Sequence, residues 1–196
     1  MLNLNRILVK EQVGLFKLVD RYDLFDPETS RQVGHCQEKP GWYVHVLRLL
    51  INKRLLPTVV EVVPEGRPAP LFRIRRGFRL FRAVVQVEDA GGKLLGTLRS
   101  KVLSFKIDIG VLDSQEREIA RVQGDWKGWN FKLVSPQGQE LGTITKKWAG
   151  IGKELFTSAD NYLIELAEDK SGDNKIRTIL LAAALAIDIC FKEGKH

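Results

Sequence analysis

With two cysteines, one methionine and three histidines in 196 residues, the sequence has little with which to hold a metal or staple a fold. Cys36 and Cys190 make no disulfide framework, and a reducing compartment is the simpler setting for them. His35 beside Cys36 supplies two donors where a tetrahedral zinc site takes four. No CxxC or HxxxH pair exists, so neither a metal nor another cofactor is expected. GxSxG and P-loop motifs are absent as well. Gly91-Gly92 reads as a turn, since no helix start follows it to cradle a phosphate. Asp125 reads as a turn residue, and Asp188 as a helix end that reaches water or a buried hydrogen bond. Neither has a second carboxylate at a spacing that identifies acid–base catalysis, so no enzyme is expected. Residues 1–10 contain no apolar run of signal-peptide length. The longest uninterrupted apolar run, 179–187, is about half of what a bilayer crossing needs, and Asp188 ends it. A cytoplasmic protein, at most peripheral at a membrane, is the expectation.

What is present is ordinary globular material, 44% hydrophobic and 28% charged, enough for one domain over 1–196 with a sizeable core. Its dominant pattern is a strand, a polar turn, and a second strand opening on an apolar–small pair. Tyr22-Asp23-Leu24-Phe25 leads through Asp26-Pro27-Glu28 to Val33-Gly34. The same arrangement recurs through Asp89-Ala90-Gly91-Gly92 to Leu95-Gly96, through Asp113-Ser114-Gln115 to Ile119-Ala120, and through Ser135-Pro136-Gln137-Gly138 to Leu141-Gly142. Each turn holds residues that tolerate tight turns. Runs such as Phe105-Lys106-Ile107-Asp108-Ile109 alternate with the period of strands that have one wet face. Many consecutive hairpins make a large antiparallel sheet, and closure is the usual escape from exposed edges.

Two stretches break the β pattern. Residues 42–56, after Pro40-Gly41 and before Pro57, carry Leu47, Leu50, Ile51 and Arg54 at helical spacing and read as a short amphipathic helix outside the sheet. Residues 175–191 read as a helix, with Asp173 or Asn174 placed to cap it and no polar residue from Ile179 to Ile187, so that its middle is apolar all round. A helix of that kind is buried on every side, and a sheet that curls right round it meets the requirement.

The net charge of +7 is concentrated. Nine basic residues and two acids lie between Arg48 and Arg82, an excess equal to that of the whole protein. This points to an anionic partner: a lipid head group or membrane surface, nucleic acid or an acidic protein. The candidate ligand residues are Arg67, Arg73, Arg75, Arg76, Arg79 and Arg82. Alternation sends Phe72 and Ile74 to one face and Arg73 and Arg75 to the other, with Arg76-Gly77 interrupting as a bulge or turn. Trp126, Trp129 and Trp148 stand among lysines. That pattern suits base stacking, but strand alternation favours the reading in which Trp129 and Trp148 fill barrel layers.

Asp125-Trp126-Lys127-Gly128-Trp129-Asn130-Phe131, Ile144-Thr145-Lys146-Lys147-Trp148-Ala149-Gly150 and Glu154-Leu155-Phe156-Thr157-Ser158-Ala159-Asp160-Asn161-Tyr162 resemble the phospholipid scramblase and LURP-one-related families. The end Ile187-Asp188-Ile189-Cys190-Phe191 is similar too, and the likeness is strongest from Phe81 onward. The resemblance implies the fold of the tubby C-terminal domain, a mainly β, closed antiparallel barrel of about twelve strands around a central hydrophobic C-terminal helix. It also implies binding of phospholipid or phosphoinositide head groups. The stretch matching the scramblase calcium loop, 158–169, departs from it. Ser158 stands at the first acidic position and Leu163 at the bending glycine, so calcium binding is not expected. Tyr162-Leu163-Ile164-Glu165-Leu166 reads as a strand instead. A non-enzymatic binding module for an anionic ligand is the function expected. A nucleic-acid binder using the same arginines, or an enzyme whose site the sequence does not reveal, are the alternatives.

Overall fold

A computed structural model describes residues 1–12, 21–39, 41, 44, 47, 55–78, 84–100, 106–125, 128–146, 161–168 and 173–191. The alternating runs form strands because successive side chains of an extended chain point to opposite faces, and one face is apolar. The strands are β1 (Arg6–Glu11), β2 (Arg21–Phe25), β3 (Gln32–Glu38) and β4 (Thr58–Pro64). Next come β5 (Phe72–Arg76), β6 (Val84–Asp89), β7 (Leu94–Ser100) and β8 (Lys106–Asp113). The last four are β9 (Glu118–Asp125), β10 (Asn130–Val134), β11 (Glu140–Thr145) and β12 (Tyr162–Leu166), the last of these where a strand was expected. Each pairs antiparallel with the next, and β12 pairs with β1 from Arg6↔Glu165 to Val9↔Tyr162. The sheet therefore closes into a barrel of twelve strands, and among the described residues no strand edge stays open.

This up-and-down order gives the barrel two unlike ends. At the turn end, β2–β3, β4–β5, β6–β7, β8–β9 and β10–β11 are joined by four to seven residues. At the loop end, strands finish into the connections 12–20, 39–57, 77–83, 101–105, 126–129 and 146–161. Val44 and Leu47 are helical; the rest of the amphipathic helix expected over 42–56 lies largely outside the described residues.

The apolar segment forms α1 (Asn174–Ala186), which enters at the turn end and runs down the barrel. Asp173 caps it, accepting from the backbone N–H of Lys175 at 2.8 Å and of Ile176 at 3.3 Å. Every residue from Arg177 to Ala186 is buried. The helix shares one core with inward strand residues such as Leu24, Phe72, Leu98, Val122 and Ile144. Ala182, Ala183, Ala184 and Ala186 keep it slim enough to be enclosed. An α-helix to residue 191 was expected; the last turn, Ile187–Phe191, is instead a wider π-helical turn. Among the described residues no helix is long and apolar enough to cross a membrane.

The recurring apolar–small pairs are β-bulges. In four hairpins the register skips Val33, Leu95, Ile119 or Leu141, so that Gly34 faces Leu24, Gly96 faces Val87, Ala120 faces Val111 and Gly142 faces Leu133. The skipped residue packs against the core at the turn end. The small residue sits where the bulge presses the chain against its neighbour. A Cβ on Gly34 would lie 2.6 Å from the Val63 carbonyl oxygen, and one on Gly142 would lie 2.5 Å from that of Glu165.

Arg177 fastens helix to barrel. Only 7% exposed, it donates to the carbonyls of Leu2, Leu4 (2.8 Å) and Ala167 (3.3 Å) and to Asn5 Oδ1 (2.7 Å). These acceptors flank β1 and β12, so the guanidinium bolts α1 to the seam that closes the barrel. Arg177→Ala strands several buried acceptors and is expected to cost about 3 kcal/mol. The check is a fall in the urea midpoint at unchanged slope. A midpoint equal to the parent's would show that the clamp carries no stability.

Candidate functional site

The four candidate arginines among the described residues, Arg67, Arg73, Arg75 and Arg76, share a stretch of chain without sharing a face. Arg73 and Arg75 point outward from β5 as alternation requires, while Phe72 and Ile74 point inward. Arg76 corrects the expected interruption. The strand continues through it, paired with Thr58 and Val85, and the same alternation turns its side chain into the barrel mouth. There it is 2% exposed and donates to the Leu56 carbonyl at 3.4 Å. Arg67 lies in the β4–β5 turn, exposed, at the opposite end of β5. Arg79 and Arg82 lie outside the described residues, in the connection from β5 to β6.

Neighbouring carboxylates already occupy the two outward arginines. Arg73 Nε donates to Glu61 Oε1 at 3.0 Å and Nη1 to the Ala90 carbonyl at 2.9 Å. Lys39 Nζ takes the other Glu61 oxygen at 2.6 Å. Burial pushes the Glu61 carboxyl up, but the hydrogen bonds from Lys39 and Arg73 outweigh it and hold the group below the usual carboxylate range. Arg75 forks onto Glu88, Nε to Oε1 at 3.0 Å and Nη2 to Oε2 at 3.4 Å, with its side chain still 49% exposed. Between these two arginines, Arg75 is the one with surface left to offer a ligand.

A second pattern concerns the barrel axis. The six connections whose strand ends meet at the loop end hold twelve Lys and Arg against three Asp and Glu. The five hairpin turns at the other end, with the β12–α1 connection 167–173, hold five against seven. The turn end also opens an acidic cleft of about 520 Å³ beside Asp26, Glu28, Glu165 and Glu168. The basic excess therefore lies, by sequence, in the connections whose flanking strand ends are at the loop end. Lysines far from the arginine stretch, among them Lys17, Lys101 and Lys153, belong by sequence to the same connections. Sequence reasoning passed over them, although the signal was there: in a meander every second connection falls at the same end.

The mouth of the barrel at the loop end is lined by polar side chains, with Glu38, Thr58, Arg76, Asn161 and Asp188 all buried. Trp129 covers part of it, tilted against Tyr162 at 5.1 Å and edge-on to Phe131 at 5.3 Å, as expected of a tryptophan that fills a barrel layer. Trp126 and Trp148 lie outside the described residues. Cys36 points into the core and His35 outward, so strand alternation separates the two donors. Burial, assisted by the charge of Asp23, pushes the Cys36 thiol far up, leaving it protonated and a poor nucleophile. Asp125 accepts the Gly128 N–H at 2.7 Å as a turn residue does. Among the described residues no three His, Cys, Asp or Glu side chains are grouped to hold a metal.

The family model described as Scramblase matches residues 5–194. Among curated proteins, human phospholipid scramblase 2 is 36% identical over 67 residues, which is 34% of this chain and 22% of that protein. Mouse phospholipid scramblase 1 is 37% identical over 65 residues, 33% of this chain and 19% of its own. The budding-yeast altered inheritance rate of mitochondria protein 25 is 23% identical over 93 residues, 40% of this chain and 28% of that one. The chain thus matches between 19% and 28% of the length of these curated relatives. No solved structure matches.

Proposed function

Because the chain belongs to the scramblase family, we propose that it is a non-enzymatic module that docks on anionic phospholipid head groups with the loop end of its barrel. The phospholipid scramblases among its relatives suggest the phospholipid. The axial separation of charge supplies the orientation and is the observation that carries the reading. Arg75 stands on the loop-end half of β5, Arg79 and Arg82 belong by sequence to the connection that follows it, and arginine suits phosphate because its planar fork donates two parallel hydrogen bonds. Glu88 competes with a lipid phosphate for the same Arg75 guanidinium. Arg76 serves the barrel mouth, and Arg67 faces away from the membrane.

Each basic residue near an anionic surface contributes about 1 kcal/mol. Replacing Arg75, Arg79 and Arg82 together by Gln is therefore expected to weaken binding to phosphatidylserine-containing vesicles by about two orders of magnitude at low salt. Glu88→Gln is expected to strengthen it, and Arg67→Gln to leave it unchanged. Liposome co-sedimentation over a salt series, with phosphatidylcholine vesicles and duplex DNA as controls, reads all three. Parent-like binding by the triple variant, or an Arg67 effect as large as that of a loop-end arginine, would overturn the orientation. Equal binding to DNA would make this end a general polyanion surface.

A further inference from the structure

Among the described residues the large apolar side chains left exposed are Leu55, Phe78 and Val84, with Phe78 the most open at 56%. All three sit at the loop-end tips of neighbouring strands. Leu55 is three residues before β4, Phe78 two residues after β5, and Val84 opens β6. The pairing of β4 with β5 and of β5 with β6 makes these tips adjacent. Single exposed apolar residues scatter over any surface, whereas three on one rim form a patch. The connections they border, 39–57 and 77–83, hold Lys39, Arg48, Lys53, Arg54, Arg79 and Arg82 and no acid.

An apolar tip among cations fits the interface of an anionic bilayer. Acyl chains take up the apolar groups, and phosphates suit the guanidinium and ammonium groups that the bordering connections carry in sequence. A second copy of this chain fits poorly, since it would bring the same excess of basic residues in these connections against itself. Resting on the reading that this end docks on anionic lipid, we infer that Phe78, flanked by Leu55 and Val84, inserts beneath the head groups as the anchor of the docked barrel. The cations steer and orient, and their contribution fades with salt. The apolar tip supplies the part of the affinity that salt does not screen.

The test is co-sedimentation of the full chain with equimolar phosphatidylserine–phosphatidylcholine vesicles from low to high salt. Phe78→Ser is expected to lower partitioning about tenfold at every salt concentration and leave the salt slope unchanged. Phe78→Trp keeps parental binding, and Leu55→Ser reproduces a smaller loss. Because Phe78 is exposed, the melting temperature of the Ser variant should match the parent's. Should Phe78→Ser bind as the parent does while the arginine variant is weakened, insertion is refuted and docking by charge stands. A parent that ignores anionic vesicles refutes both. Insertion is also refuted if sedimentation velocity shows the parent self-associating and Phe78→Ser monomeric, because the patch is then an interface between copies.

Discussion

Substituting Ala183→Arg is expected to leave no folded soluble protein. Ala183 is 1% exposed, at the middle of a helix that the barrel surrounds. The buried cluster it belongs to, with Ile179, Ile187 and the inward strand residues, is apolar. A guanidinium placed there lacks the acceptors that Arg177 finds near the turn end, and an unpaired charge in such surroundings costs several kcal/mol. The added volume must also be forced into a packed interior, for about 1–3 kcal/mol more. Together these approach or exceed the whole stability of a typical domain, about 5–15 kcal/mol. Soluble yield and a circular-dichroism melt decide the matter, with Ala183→Ser as the tolerated control. Parental yield and melting temperature for the arginine variant would refute a helix enclosed by the sheet.

Gly96→Val should lower stability by about 4 kcal/mol or more, an unusually large loss for one residue. At Gly96 a Cβ would lie 2.5 Å from the Leu112 carbonyl oxygen on β8 and 3.0 Å from Ile179 Cδ1 on α1. The first is backbone within a paired ladder and can retreat only if β7 and β8 part; the second is wedged in the core. Valine adds two further methyls to the same gap. Gly110, on β8, provides the contrast. Its Cβ would meet nothing nearer than Glu118 Oε2 at 3.5 Å. Gly110→Ala is therefore expected to be neutral or to stabilise by up to about 1 kcal/mol, because a strand glycine loses more chain entropy on folding than alanine. Urea midpoints of the two variants should lie far apart, and similar midpoints would refute the steric account of the bulges.

These variants bear on how far the sequence speaks for itself. Alternation and turn residues pointed to many of the strands, though not to β1 or β4, and sent Phe72 and Ile74 inward, while a helix without a polar face required a sheet on all sides. The apolar–small pairs were visible as a motif, but their meaning as bulges needed the register that skips Val33, Leu95, Ile119 and Leu141. Arg76 was misplaced because its charge was weighed above the parity of its strand; counting on by two from Phe72 and Ile74 turns it inward. Parity could not reveal that Glu61 and Glu88 hold the outward arginines, since cross-strand partners depend on register across segments distant in sequence. The exposure of Phe78 was equally hidden, because it depends on what the ends of other strands leave uncovered. The two ends of the barrel follow from element order alone, once the strands are known to form a simple meander.

The seam between β1 and β12 also governs how this domain comes into being on the ribosome. Arg6 must find Glu165, so the contact that shuts the barrel joins the first strand of the domain to the last. The helix that fills the interior is made after every strand that encloses it. A nascent chain therefore presents an apolar sheet face with no occupant and two unsatisfied edges until α1 leaves the exit tunnel. Such long-range closure is slow, and the waiting sheet is open to pairing with other chains. Closure with a filled interior accordingly waits for α1, and a chain that stops short of residue 173 is expected to expose an apolar sheet face instead of forming a smaller folded domain.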